Sequence, residues 1–380
     1  MKQNIAIVFG GNSAEHEVSV ITATQIINGY TKEEFNILPI FLDKNNEFYF
    51  VDKNKVSLKD YAKKTLDSTI FKKIFFRHQK PNIYLKESPK KALFKIDACV
   101  NCCHGGIGEN GELVALLNSL NIPISSANVF GLASTFDKVA TKFILKGAGI
   151  DCIDFVYVYK EEWEAFPTKT LEKLNKLKFP LIVKPARQGS SIGINKVNSP
   201  KELVSAIKIA FEFDNKVLIE KAIINFREFN CSAIGIGGDE VMVSSVDEPV
   251  KIHDILTFED KYIESAKNSK SKAQKTKGMN SMNREFLPSG KLCTKIKDTT
   301  KIVMRLFNLS GVIRVDYIYD IKKKRLYLNE INAVPGSLAY YFWAKDNISI
   351  NDLLEKLVLI AKKNKDRVFK LKNDYSVRLL

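Results

Sequence analysis

Hydrophobic positions in the first third of the chain fall in short continuous runs, IAIVFG, NILPIFL and DACVNCC, separated by VSVITATQIING and ELVALLNSL, where apolar residues recur at helical spacing. Such alternation of β-rich runs with helical patterns predicts an α/β fold with a parallel sheet. From about residue 129 the pattern changes. A helix is expected over LASTFDKVATKFILKGAG, then strands over CIDFVYVY and FPLIVKP. The helix in SPKELVSAIKIAFEF opens with Ser199 at the N-cap and Glu202 three positions on, the spacing of a capping box. Further strands are expected at KVLIEKAI, EFNCSAIGI, EVMVSSV, VIRVDYIYD and RLYLNEIN, with helices at LCTKIKDTTKIVMRLF and NDLLEKLVLIAKK.

A chain of 380 residues exceeds what one hydrophobic core usually holds, so two or three α/β lobes are expected. The polar, lysine-rich stretch 265–286 lacks the large apolar residues needed for a core and is expected to be a mobile loop, with outer limits of 263–288. The opening MKQNIAIVFGG is too short and too soon broken by glycine for a signal peptide, and no run approaches a membrane span. An intracellular protein without membrane partners is therefore expected.

Composition changes the picture little. The formal charge is +16, which attracts phosphate backbones in general, but the lysines are spread through every segment and no nucleic-acid motif accompanies them. A solvated basic surface compatible with small anionic substrates is expected, with no nucleic-acid partner. The six cysteines lack paired C-x-x-C spacing and read as reduced core thiols.

Two motifs mislead. GSSIG (189–193) fits the G-x-S-x-G pattern of a nucleophile elbow, yet no helix follows it at once and the sole downstream histidine is His253. Glycines flanking two hydroxyls, with Lys184 upstream, instead suit a loop that covers phosphates in a hairpin setting. Gly106–Gly111 matches G-x-G-x-x-G, but no acidic residue stands about twenty positions on to hold a ribose.

The strongest chemistry lies at Arg314-x-Asp316 and Glu330-x-Asn332. Residues two apart in a strand face the same way, so pairing of these strands would converge Asp316, Glu330 and Asn332 as oxygen ligands. Two carboxylates and an amide oxygen suit Mg²⁺. Arg314 would neutralise charge on a phosphoryl group or an adjacent oxyanion.

Taken with VFGGNSAEHEVS, CHGGIGENGEL, STFDKVATK, IVKPARQGSSIGI, VLIEKAI, REFNCSAIG, FEDKY, IRVDYIY and LNEINAVPGSL in this order, the whole chain resembles the D-alanine:D-alanine ligases of the ATP-grasp superfamily. The resemblance implies an N-terminal substrate-binding α/β domain (1–128) and two lobes sandwiching ATP (129–221 and 222–380). It also implies site roles. Glu15, Ser190 and Tyr262 would form a set that holds the first D-alanine and closes the site, with His104 and Glu109 lining that pocket. Lys138, Lys184, Ser191 and Lys261 would meet the ATP phosphates, Glu220 and Lys221 the adenine, and Glu228 the ribose. Asp316, Glu330 and Asn332 would hold two Mg²⁺, for which Mn²⁺ can substitute, while Arg314 and the backbone at Gly336 stabilise a tetrahedral intermediate. A cytoplasmic homodimer serving peptidoglycan synthesis is the corresponding expectation.

Three departures stand out. The segment after FEDKY is long and lysine-rich, and CHGG is followed by Ile-Gly-Glu-Asn where Glu-Asp is commoner. PGSLAYY also replaces the usual serine-bearing stretch, leaving Ser337, a backbone group or neither to meet the second substrate's carboxylate. Ligases using D-lactate or D-serine share the ATP half of such a site. D-alanine is favoured because FEDKY keeps Tyr262.

Overall fold

A computed structural model describes residues 2–63, 65–77, 80–174, 177–249 and 284–369. Lys261, Tyr262 and His253 lie outside them.

The described strands form three sheets. The first has seven strands in the order β6-β5-β4-β3-β2-β1-β7: β1 (Gln3–Gly10), β2 (Phe35–Leu42), β3 (Phe48–Val51), β4 (Phe71–Arg77), β5 (Lys80–Leu85), β6 (Ser88–Lys95) and β7 (Ala98–Asn101). Only the centre is parallel, β1 running alongside β2 and β7. These three are the continuous apolar runs of the sequence, and most of their residues are buried. The other members, β3 to β6, add antiparallel hairpins that the sequence pattern did not announce, because residues 48–95 mix lysines with aromatics on half-exposed strands.

The second sheet, in the order β10-β9-β11-β8, contains β8 (Phe155–Tyr159), β9 (Leu181–Pro185), β10 (Asn195–Val197) and β11 (Lys216–Lys221), all antiparallel. The third, in the order β14-β13-β12-β15-β16, contains β12 (Phe226–Ile236), β13 (Val241–Pro249), β14 (Arg284–Phe286), β15 (Ser310–Asp320) and β16 (Arg325–Asn332). Strand β14 corrects the loop expected up to residue 286. Its Arg284 pairs with the fully buried Asp247, and Phe286 packs against the main core.

The cores explain how these sheets are grouped. One continuous apolar cluster joins the first and third sheets, with Ile5, Phe41 and Val100 at one end and Phe229, Val315 and Trp343 at the other. The closing helix Ile350–Phe369 packs on both β7 and β15. The second sheet has a separate core around Val158, Leu181, Ile207 and Val217.

The helix expected over residues 132–149 is two helices, Val129–Phe136 and Lys138–Gly147. Asp137 breaks it with extended backbone, and its carboxylate accepts from the N–H groups of Val139 and Ala140. Capping of the second helix satisfies donors that would otherwise be orphaned. Ser199 caps its helix as expected, its Oγ accepting from Glu202 N–H, but the expected capping box is only half formed, because the Glu202 carboxylate accepts from Asn198 N–H and the Ser199 hydroxyl and not from Ser199 N–H.

Candidate active site

Across the third sheet, four polar residues stand in register: Asp247 on β13 opposite Asn230 on β12, Asn230 opposite Asp316 on β15, and Asp316 opposite Glu330 on β16. A bulge follows at once, since Tyr317 pairs with Leu328. Bulges re-aim side chains at such positions. Arg314 grips Asp316 with two donors, Nε to Oδ1 at 2.7 Å and Nη2 to Oδ2 at 2.8 Å. Asn332, opposite Arg314, has its amide nitrogen 3.1 Å from Asp316 Oδ2. Arg314 Nη1 also reaches the Tyr341 hydroxyl at 3.4 Å, while the Arg284 guanidinium stacks 3.9 Å from the centre of the Tyr341 ring. Burial raises the Asp247 carboxyl above its ordinary value despite Arg284 beside it.

The strand expectation for these four residues therefore holds: Arg314, Asp316, Glu330 and Asn332 are brought together. Their donor set, two carboxylates and an amide that can turn its oxygen inward, fits a hard divalent cation.

One cavity of about 50 Å³ is lined by Arg314, Glu330 and Asn332 from the third sheet, together with Glu15, His104, Glu109, Lys138, Ser190 and Gly336 from helices and loops outside the strands. Ligand pockets commonly measure about 300–1,000 Å³, so the loop carrying Ser190 has to withdraw before a large ligand enters. That loop joins β9 to β10, the expected hairpin setting, with Ser190 and Ser191 at positive φ of 50° and 63°. Ser190 donates its hydroxyl hydrogen to Glu15 Oε1. A Cβ at Gly189 would fall 2.8 Å from the Glu15 carboxyl carbon, so a side chain there would displace the Glu15 carboxylate.

Glu15 sits at the N-cap of the helix His16–Gly29, where the helix dipole favours an anion. Glu109 lies at the end of the short helix Gly106–Glu109, accepting from Gly105 N–H at 3.2 Å. Burial and the neighbouring Glu15 raise its carboxyl to about 8. Two carboxylates crowded together call for a cation, such as an ammonium group. The glycine run serves close packing: a Cβ at Gly108 would lie 2.7 Å from the Cys103 carbonyl carbon.

Burial lowers His104 to about 4, so the ring is neutral at physiological pH. Its Nδ1 lies 2.7 Å from the Val334 carbonyl oxygen and its Nε2 lies 2.8 Å from Thr22 Oγ1. Both ring nitrogens are thus engaged within the protein.

Lys138 bridges the bodies, donating to Gln188 O at 2.5 Å and standing 3.1 Å from Glu330. Glu220 on β11 lies between two buried ammonium groups, Lys184 at 2.6 Å and Lys142 at 2.8 Å. Burial pushes its carboxyl up, but the two lysines pull it down to about 2. Burial lowers Lys184 in spite of the attraction of Glu220. Two cations for one anion leave an excess positive charge of the kind a polyphosphate would need, although none of the three residues lines the cavity. Lys142 was missed in the sequence. Its signal was the helical spacing to Lys138, four positions earlier, which puts both on one face.

Asp316, Lys184, Ser191, Glu220, Lys221 and Glu228 do not line the cavity, and Lys221 is exposed. Ser337 is buried, faces a separate cavity with Gln25 and Tyr340, and its N–H donates to Thr22. Backbone conformation turns it away, because Ser337, Leu338 and Ala339 all have positive φ, 53°, 47° and 53°. Such residues cost on the order of 1–3 kcal/mol each, so the surroundings must hold this turn. All six cysteines are buried free thiols.

Comparison with known proteins agrees with this geometry. Residues 4–127 match the family profile described as "D-ala D-ala ligase N-terminus" and residues 144–359 that described as "D-ala D-ala ligase C-terminus". The chain is 35% identical to a D-alanine–D-alanine ligase of Thermosipho melanesiensis over 360 residues, covering 93% of this chain and 92% of that protein. Among solved structures, the D-alanine–D-alanine ligase of Helicobacter pylori superposes with a TM-score of 0.72 at 28% identity, covering 94% of this chain and 98% of the other. The VanG D-Ala:D-Ser ligase of Enterococcus faecalis gives 0.75 at 25%, covering 95% and 100%. The chain belongs to the D-alanine–D-alanine ligase family and has its ATP-grasp fold.

Proposed function

We propose that this protein joins two D-alanine molecules into D-alanyl-D-alanine with conversion of ATP to ADP and phosphate, supplying a peptidoglycan precursor. The observation that carries this reading is the cavity in which Glu15, Lys138 and Ser190, from separate helix and loop segments, meet Arg314 and Glu330 of the third sheet. On family likeness we extend it to a cytoplasmic homodimer, with lobes at 1–128, 129–221 and 222–380.

A carboxylate is a poor acyl donor. The carboxylate oxygen of the first D-alanine attacks the γ-phosphorus of ATP, ADP departs, and an acyl phosphate results. Glu15 holds the ammonium of that D-alanine, with Ser190 fixing the carboxylate and Glu109 adding a second acidic group. Lys138 and Lys184 carry cationic charge to the phosphates, and Ser191 lies in the loop that covers them. Glu220 and Lys221 border the adenine and Glu228 the ribose; Lys261 and Tyr262 complete the set from outside the described residues. Asp316, Glu330 and Asn332 would hold two Mg²⁺ ions, or Mn²⁺, which when bound supply charge neutralisation at phosphate oxygens.

The neutral amine of the second D-alanine then attacks the acyl carbon, the carbon–oxygen bond to phosphate breaks, and the departing phosphate takes up the proton that the amine releases. Arg314 and the Gly336 N–H aim at the oxyanion of that step. Closure of the Ser190 loop onto Glu15 would keep water from the acyl phosphate.

The test is Asp316→Asn and Glu330→Gln, assayed for Mg²⁺-dependent phosphate release with D-alanine. Losses on the order of 100-fold with an unchanged circular dichroism spectrum are expected. Near-normal rates would refute the assignment.

A further inference from the structure

We propose that Thr22 is a positioning residue for the strained turn that presents the Gly336 N–H to the reacting carbonyl, a role that rests on the ligase reading of the site.

The hydrogen-bond roles follow from the atoms. The Val334 carbonyl can only accept, so His104 Nδ1 carries the hydrogen in that 2.7 Å bond. His104 Nε2 then offers a lone pair, and the Thr22 hydroxyl donates to it at 2.8 Å. The Thr22 oxygen is left to accept, and Ser337 N–H donates to it at 2.9 Å. All three residues are buried: Thr22 is 1% exposed, His104 3% and Ser337 4%. Together these bonds tie both ends of the segment 334–337 to the first helix and the loop after β7.

The segment needs such a tie. Ser337, Leu338 and Ala339 lie consecutively in the left-handed region, which side-chain-bearing residues seldom adopt and which persists only where neighbours hold it. Gly336, directly before them, lines the reaction cavity, whereas Thr22 does not. Thr22 thus acts through the turn, and touches no substrate itself.

Thr22→Val keeps the branched shape but removes the hydroxyl, stranding a buried N–H and an imidazole nitrogen. Expected results are a kcat lowered about tenfold or more, a KM for ATP within about twofold of the parent, and faster amide hydrogen exchange over residues 333–340. Thr22→Ser, which retains the hydroxyl, should restore both kcat and protection. Should valine prevent folding, Thr22→Ala removes the same hydroxyl and is read by the same two measurements. Unchanged kcat and exchange without the hydroxyl, or a serine variant as impaired as valine, would overturn the proposal. Parent protein that turns over no D-alanine would sink the ligase reading instead, while the exchange measurement would still report on the tie.

Discussion

Ser190 and Glu15 are 175 positions apart in sequence, yet the serine hydroxyl donates directly to the glutamate carboxylate. This bond fastens the glycine loop of one body onto the first helix of another, above the cavity where the chemistry is placed.

Ser190→Ala should loosen that closure. A hydrogen bond to a charged group contributes about 1.5–3 kcal/mol, so kcat/KM for D-alanine is expected to fall about 10- to 100-fold. The KM for ATP should change little. Equal losses for both substrates in steady-state kinetics would show that Ser190 serves the nucleotide instead.

Much of this was legible in the sequence. Arg314, Asp316, Glu330 and Asn332 could be placed on two neighbouring strands because a strand's period of two puts each pair on one face, but the register Asp316–Glu330 depends on the bulge between Asp316 and Tyr317, which the sequence does not announce. GSSIG was readable as a covering loop because the missing helix ruled out an elbow. What stayed hidden depends on long-range packing. Lys142 looked like one surface lysine among many until β11 brought Glu220 against it. The break at Asp137 was masked by good helix formers on either side, and β14 by the polar stretch before it. The turn at Ser337 stayed hidden because sequence does not reveal a run of left-handed backbone in residues other than glycine.

Lys142 offers a second prediction. Lys142→Met would leave Glu220 and Lys184 as a neutral pair, so that Lys184 is less available to phosphate. The KM for ATP should rise about tenfold, equivalent to about 1.4 kcal/mol, with kcat nearly retained. A lowered kcat at saturating ATP with unchanged KM would contradict this.

Glu109 gives stability a pH dependence. Its folded value, about 8, lies above the ordinary carboxylate value of 4.5, so the folded state holds the proton more tightly. The resulting stabilisation is complete below that ordinary value and is lost as pH rises through the folded value. Between pH 5.5 and 8.5, the Tm of the ligand-free protein should fall more steeply than that of Glu109→Gln, which cannot ionise. Parallel slopes in differential scanning calorimetry would remove Glu109 as the cause.

The most direct measurement is Mg²⁺-dependent phosphate release from ATP in the presence of D-alanine, L-alanine, D-serine, or D-alanine with D-lactate, with each product identified by mass spectrometry. Release with D-alanine alone, accompanied by D-alanyl-D-alanine, is the expected result. Turnover that requires D-serine or D-lactate as second substrate, or no release with any of these acids, would contradict it.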